Sequence, residues 1–110
     1  MGGRMERLES LLTAELSQVL LKDLAGQDLG LATITGVKIA RDLSQATVYV
    51  SVLGDERRRM QTIQQLQHAA GYIRGLLGKR LHLKRIPRLV FVDDPSLRNA
   101  DRINRLLKDG

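Results

Sequence analysis

Cysteine and tryptophan are both missing from this 110-residue chain. Without cysteine there is neither a disulfide framework nor a thiolate metal site, which suits a reducing compartment. Aromatic residues are scarce: Tyr49, Tyr72 and Phe91 are the whole set. The core must therefore be aliphatic, and readout of single-stranded bases by stacking has almost nothing to work with. No apolar run approaches the ~20 residues that a membrane-spanning helix needs. No hydrophobic signal core follows Met1-Gly2-Gly3-Arg4 either, so the chain reads as cytoplasmic. Acid is lacking where it would be expected: from Arg57 to Val92 there is no Asp or Glu.

That acid-free block is also where positive charge collects. It holds nine Lys and Arg, namely Arg57, Arg58, Arg59, Arg74, Lys79, Arg80, Lys84, Arg85 and Arg88, in a chain of net charge +6. Ordinary helical faces mix both signs. A one-sided field attracts polyanions across a Debye length of roughly 8–10 Å. Nucleic acid, an anionic membrane surface and an acidic protein are the candidate partners. The membrane reading is the weaker one, because the block's own apolar stripe is needed for the core. That stripe runs through Ile63, Leu66, Ala70, Ile73, Leu77 and Leu81 at three-and-four spacing, the pattern of a buried helical face. Ala69-Ala70-Gly71 in its middle is a run of small residues where a helix can kink and another backbone can come close.

The length supports one domain, 1–110. Arg4 to Lys22 reads as a first helix with Leu8, Leu12, Leu16, Val19 and Leu20 inward, ended by Gly26 and Gly30. Leu31 to Arg41 reads as a strand whose inward parity switches at Gly36, as a bulge requires. Asp42-Leu43-Ser44 is a turn. Gln45 to Leu53 alternates, with Ala46, Val48, Val50 and Val52 on one face, so the two strands make a hairpin. The long helix follows, Pro87 ends the linker behind it, and Leu89-Val90-Phe91-Val92 is a third strand. Ser96 is an N-cap for a short C-terminal helix or tail over 96–108, with Leu97, Ala100, Ile103 and Leu107 at helical spacing. The expected architecture is an α+β domain, α-β-β-α(kinked)-β, with helices on one face of a three-stranded sheet.

Catalytic chemistry has little to stand on. His68 and His82 are the only histidines, and no carboxylate lies between them to make a triad or a metal cluster. No cofactor fingerprint and no small-molecule site is visible, so the chain reads as a non-enzyme without metal or cofactor. Gly75-Leu76-Leu77-Gly78 matches the GxxG loop of KH domains, but Leu77 belongs to the apolar stripe, so the match is weak. The phosphate contacts expected from the charge pattern are Arg74, Lys79, Arg80, Lys84 and Arg85, with Arg57, Arg58 and Arg59 as a second patch. On this reading Arg80→Glu spares folding and weakens binding, whereas Gly71→Leu disturbs the kink by crowding.

Several stretches together resemble the ribosome-binding factor A family of bacterial small-subunit assembly factors. They are Ile34-Thr35-Gly36-Val37-Lys38-Ile39, Arg41 through Ser51, Gly71-Tyr72-Ile73-Arg74 with Leu76-Leu77-Gly78-Lys79, and Leu83 through Phe91. They cover roughly residues 4–107. The resemblance implies a type II KH-like fold in which an interhelical A-x-G kink, here Ala69, Ala70 and Gly71, replaces the GxxG loop. It also implies a non-enzymatic monomer that binds the 30S subunit and its 16S rRNA and assists late maturation and processing of the rRNA 5′ end, often linked to growth in the cold. The alternative from the residues alone is a basic adaptor that meets an acidic protein.

Overall fold

The computed structural model of the chain describes residues 3–26, 29 and 32–96. Helix α1 (Gly3–Gln18) runs into a π-helical turn at Val19–Asp23, and strands β1 (Ala32–Ile39) and β2 (Gln45–Val52) follow. Helices α2 (Glu56–His68) and α3 (Ala70–Arg80) lead to β3 (Arg88–Asp93). Gly30 and Leu31, and the helix or tail expected past Ser96, lie outside the described residues.

The sheet order is β1-β2-β3, with β1 antiparallel and β3 parallel to β2. A parallel neighbour requires a crossover over one face, and α2 and α3 supply it. Residues facing the helices are the core: Ile34, Val37 and Ile39 from β1, Ala46, Val48, Val50 and Val52 from β2, Leu89 and Phe91 from β3. The helices contribute Leu12, Leu16, Leu66, Ile73 and Leu77, all buried. This is the type II KH-like arrangement, with the β1–β2 register shifting between Ile34 and Gly36 where the inward parity changes.

Where the elements differ from expectation, a local reason is at hand. The first helix widens after Gln18, and the Leu24 N–H reaches back five residues to the Val19 carbonyl. One wide turn thereby brings both Val19 and Leu24 into the core, a step that regular α-helical spacing does not make. Thr62 is buried on the core face of α2 although polar, because its hydroxyl donates to the Arg58 carbonyl at 2.9 Å. Asp55 caps α2 by accepting the Arg58 N–H at 2.8 Å. Ahead of it, Gly54 has φ +131°, and a Cβ there would stand 2.9 Å from the Arg58 side chain. Glycine is required at that position on both counts.

The long helix breaks at Ala69, whose N–H is shared between the Gln65 and Leu66 carbonyls. The crowding expected at Gly71 is absent: a Cβ at that position meets nothing within 4 Å. Gly71 is exposed, so the chain is not held there by a close approach of another backbone.

Gln67, two residues before the break, caps part of the outer edge of β3. Its Nε2 donates to the Leu89 carbonyl at 3.0 Å and its Oε1 accepts the Phe91 N–H at 2.9 Å. One side-chain amide thus satisfies two edge groups as a fourth strand would. Gln67→Ala should lower stability by about 1–3 kcal/mol, the range for leaving part-buried backbone groups unpaired. Chemical denaturation with an unchanged m-value would register it.

Candidate nucleic-acid interface

The eight cations expected to contact phosphate fall into distinct environments. Arg74 is half-buried in α3, and its Nη2 donates to the Ile86 carbonyl at 2.7 Å. Its Nε is buried without a partner. Arg74 therefore ties α3 to the linker ahead of β3. Arg80 lies between two carboxylates, with Nη2 2.9 Å from Asp23 Oδ2 and Nη1 3.6 Å from Glu15 Oε2. It locks the end of α3 to α1 and to the π-helical turn. Arg59 donates to the Gly54 carbonyl at 2.6 Å, and its Nε stands 3.9 Å from Asp93 Oδ2. Arg58 packs its aliphatic stem against Gly54 and also has a polar partner.

Arg57, Lys79, Lys84 and Arg85 are exposed. Lys84 and Arg85 lie in the linker that enters β3. The start of β3 is fixed against the β1–β2 turn, because the Arg88 N–H donates to the Ser44 carbonyl at 3.0 Å and Arg88 Nη2 donates to Gln45 Oε1. One end of the sheet therefore brings Lys84, Arg85 and Arg88 beside the turn that carries Arg41. Arg41 and Lys38 are exposed there too; the charge pattern along the sequence does not single them out, because they lie outside the acid-free block. Cross-strand register is the signal that finds them, since it sets Lys38 opposite Thr47 and Gln45 opposite Arg88.

The turn is built tightly. The Leu43 N–H donates to the Ala40 carbonyl at 2.9 Å, and Leu43 sits at φ +63°. That is a left-handed conformation unusual for a branched side chain. Asp42 accepts from both the Ser44 hydroxyl at 2.6 Å and the Ser44 N–H at 3.1 Å. Those bonds, the hydroxyl's first, hold the Asp42 carboxyl below the usual carboxylate range. The Asp42 carboxylate is thus engaged within the turn.

Arg57, Arg58 and Arg59 start α2 at the opposite end of β2, about 26 Å away for eight extended residues. They form a separate patch. Gly75 and Gly78 lie inside α3 with Leu77 fully buried between them, so no GxxG loop is presented. Among the described residues no group of His, Cys, Asp or Glu could hold a metal ion, and none of the described helices is long and apolar enough to cross a membrane.

A family model described as Ribosome-binding factor A matches residues 4–107. The chain belongs to the ribosome-binding factor A family. A relative of that name from Halothermothrix orenii is 41% identical over 105 residues, covering 96% of this chain and 86% of the relative. The crystal structure of ribosome-binding factor A from Thermus thermophilus superposes with a TM-score of 0.70 at 27% identity, covering 81% of this chain and 94% of that one. A homology model of the Thermus thermophilus factor, fitted into the cryo-EM map of its complex with 30S, aligns with a TM-score of 0.60 at 27% identity, over 77% of this chain and 93% of that one. Family membership and the KH-like fold thus agree across sequence and structure.

The division among cations is testable by charge reversal. Arg80→Glu would set a third carboxylate beside Glu15 and Asp23, so it should cost about 1 kcal/mol of stability rather than spare folding. Arg85→Glu should leave stability within about 0.5 kcal/mol, as exposed substitutions usually do. Thermal melts of the two variants separate the roles.

Proposed function

We propose that this protein binds the 30S ribosomal subunit through its 16S rRNA and assists late maturation of the subunit, including processing of the rRNA 5′ end. The observation that carries the proposal is the family match over residues 4–107; the fit of a relative into a 30S complex supports it. The sheet end bearing Lys84, Arg85, Arg88 and Arg41 supplies the phosphate contacts, with Lys79 on α3 beside it in sequence and Arg57 in the second patch. Arg74, Arg80 and Arg59 contribute by holding the elements that carry these cations. The break at Ala69, Ala70 and Gly71 sets the course of α3 without touching RNA.

The role is non-catalytic, and the site of action is the cytoplasm, where small subunits mature. Exposed His68 and His82 serve no reaction in this account, and no cofactor is required. Binding is by charge and shape: cations neutralise phosphates and release counterions, so affinity falls as salt rises.

Co-sedimentation with purified 30S subunits tests this directly. Binding should weaken steeply between low and moderate salt. The double change Lys84→Glu, Arg85→Glu should reduce it about tenfold or more and flatten the salt slope by about two. Depleting cells of the protein should lead them to accumulate 16S rRNA with an unprocessed 5′ end. Binding indifferent to salt, or capture of one acidic protein that survives ribonuclease, would point to a protein adaptor instead.

A further inference from the structure

The sheet has two outer edges, and the helices treat them differently. On β3 the Gln67 amide answers both the Leu89 carbonyl and the Phe91 N–H. On β1 one position is answered among the described residues: the Ile39 N–H donates to Glu9 Oε2 at 2.8 Å. The next N–H, of Ala40, turns the other way to the Gln45 carbonyl. Antiparallel alternation therefore aims the N–H and C=O of Val37 outward, in the direction of Ile39. Alongside that edge α1 presents Glu6, Glu9 and Ser10, three and four apart on one stripe. Together with Thr35, Gly36 and Val37 they border a groove of about 500 Å³.

We infer that this groove between α1 and β1 accepts a short extended polypeptide segment bearing Lys or Arg. The segment adds to the sheet at Val37, and its cation meets Glu6. Strand addition of this kind draws affinity from main-chain hydrogen bonds and specificity from alternate side chains. Charge selects the occupant. Among the described residues the charged ones bordering the groove are Glu6 and Glu9, and Arg7 does not line it, although the chain as a whole carries +6. Those carboxylates repel a phosphate backbone. They also disfavour a second copy of this chain, which would bring its own Glu6 and Glu9 against the first pair. A cationic peptide is the match. The bulge between Ile34 and Gly36 bends the strand at one end, and Glu9 closes it at Ile39, so the segment that fits is short.

The test uses the full-length protein labelled with nitrogen-15 and titrated with acetyl-Lys-Val-Lys-Val-Lys-amide. Amide shifts are expected at residues 35–39 and 6–13, with slowed hydrogen exchange at Val37. Glu6 is exposed, so Glu6→Lys should leave the fold intact while weakening the peptide about threefold or more. Arg85→Glu should leave peptide binding unchanged, which separates this site from the rRNA surface. A peptide N-methylated at alternate residues should not bind. Shifts centred on residues 79–88, equal binding of the Glu-for-Lys peptide, equal binding of the N-methylated peptide, or concentration-dependent shifts at β1 without peptide would each overturn the inference.

Discussion

Parallel pairing of β2 with β3 is the constraint from which the architecture follows. The chain leaves β2 at one end of the sheet and must re-enter at the other. Eight strand residues span about 26 Å, whereas the 24 residues of α2 and α3 would run about 36 Å as one straight helix. A straight crossover overshoots the sheet by about a third of its own length. The break at Ala69 turns the second half aside, which lets Leu66 before it and Ile73 and Leu77 after it cover the same core. Gly71 is no packing requirement, since nothing stands where its Cβ would be; the small residues allow the turn rather than fill a contact. With the crossover placed, Gln67 reaches the β3 edge and Arg74 reaches the linker.

The same constraint redistributes charge. Along the sequence, residues 57–92 contain no acid, yet in space Arg80 is met by Glu15 and Asp23, and Arg59 by Asp93. Each carboxylate comes from another element. What remains outward at the entrance to β3 is Lys84, Arg85 and Arg88, and the hairpin turn adds Arg41. The proposed interface is therefore shaped by register as much as by composition. Leu43 at φ +63° lies in that turn, and holding a branched residue in this conformation costs on the order of 1–2 kcal/mol. Its neighbours Asp42 and Ser44 fix the loop by hydrogen bonds, so the arginine beside them stands on a rigid support.

Much of this was legible in the residues. Strict alternation at Ala46, Val48, Val50 and Val52 identified the central strand and its buried face, because strand side chains repeat every two residues. The parity switch at Gly36 located the bulge, and the Leu66–Ile73–Leu77 stripe located the crossover's inner face. The partners of individual cations were not legible. Whether Arg80 faces solvent or Glu15 depends on a helix–helix crossing that no local pattern records. The buried Thr62 was hidden for a similar reason, since its hydroxyl is satisfied by its own helix, and the π-helical turn because it widens to suit Val19 and Leu24 together. Arg41 and Lys38 lie outside the basic run and become neighbours of it only through strand pairing.

The proposed orientation turns the sheet end where Arg88 meets Ser44 toward rRNA and the α1–β1 side away from it. The absence of native cysteine makes this directly measurable. Exposed Leu83 and Ser10 can each be replaced singly by cysteine and tethered to an iron chelate that generates hydroxyl radicals on bound 30S subunits. Strong, localised cleavage of 16S rRNA from position 83 and little from position 10 is the predicted outcome. Equal cleavage from the two positions, or stronger cleavage from position 10, would contradict it.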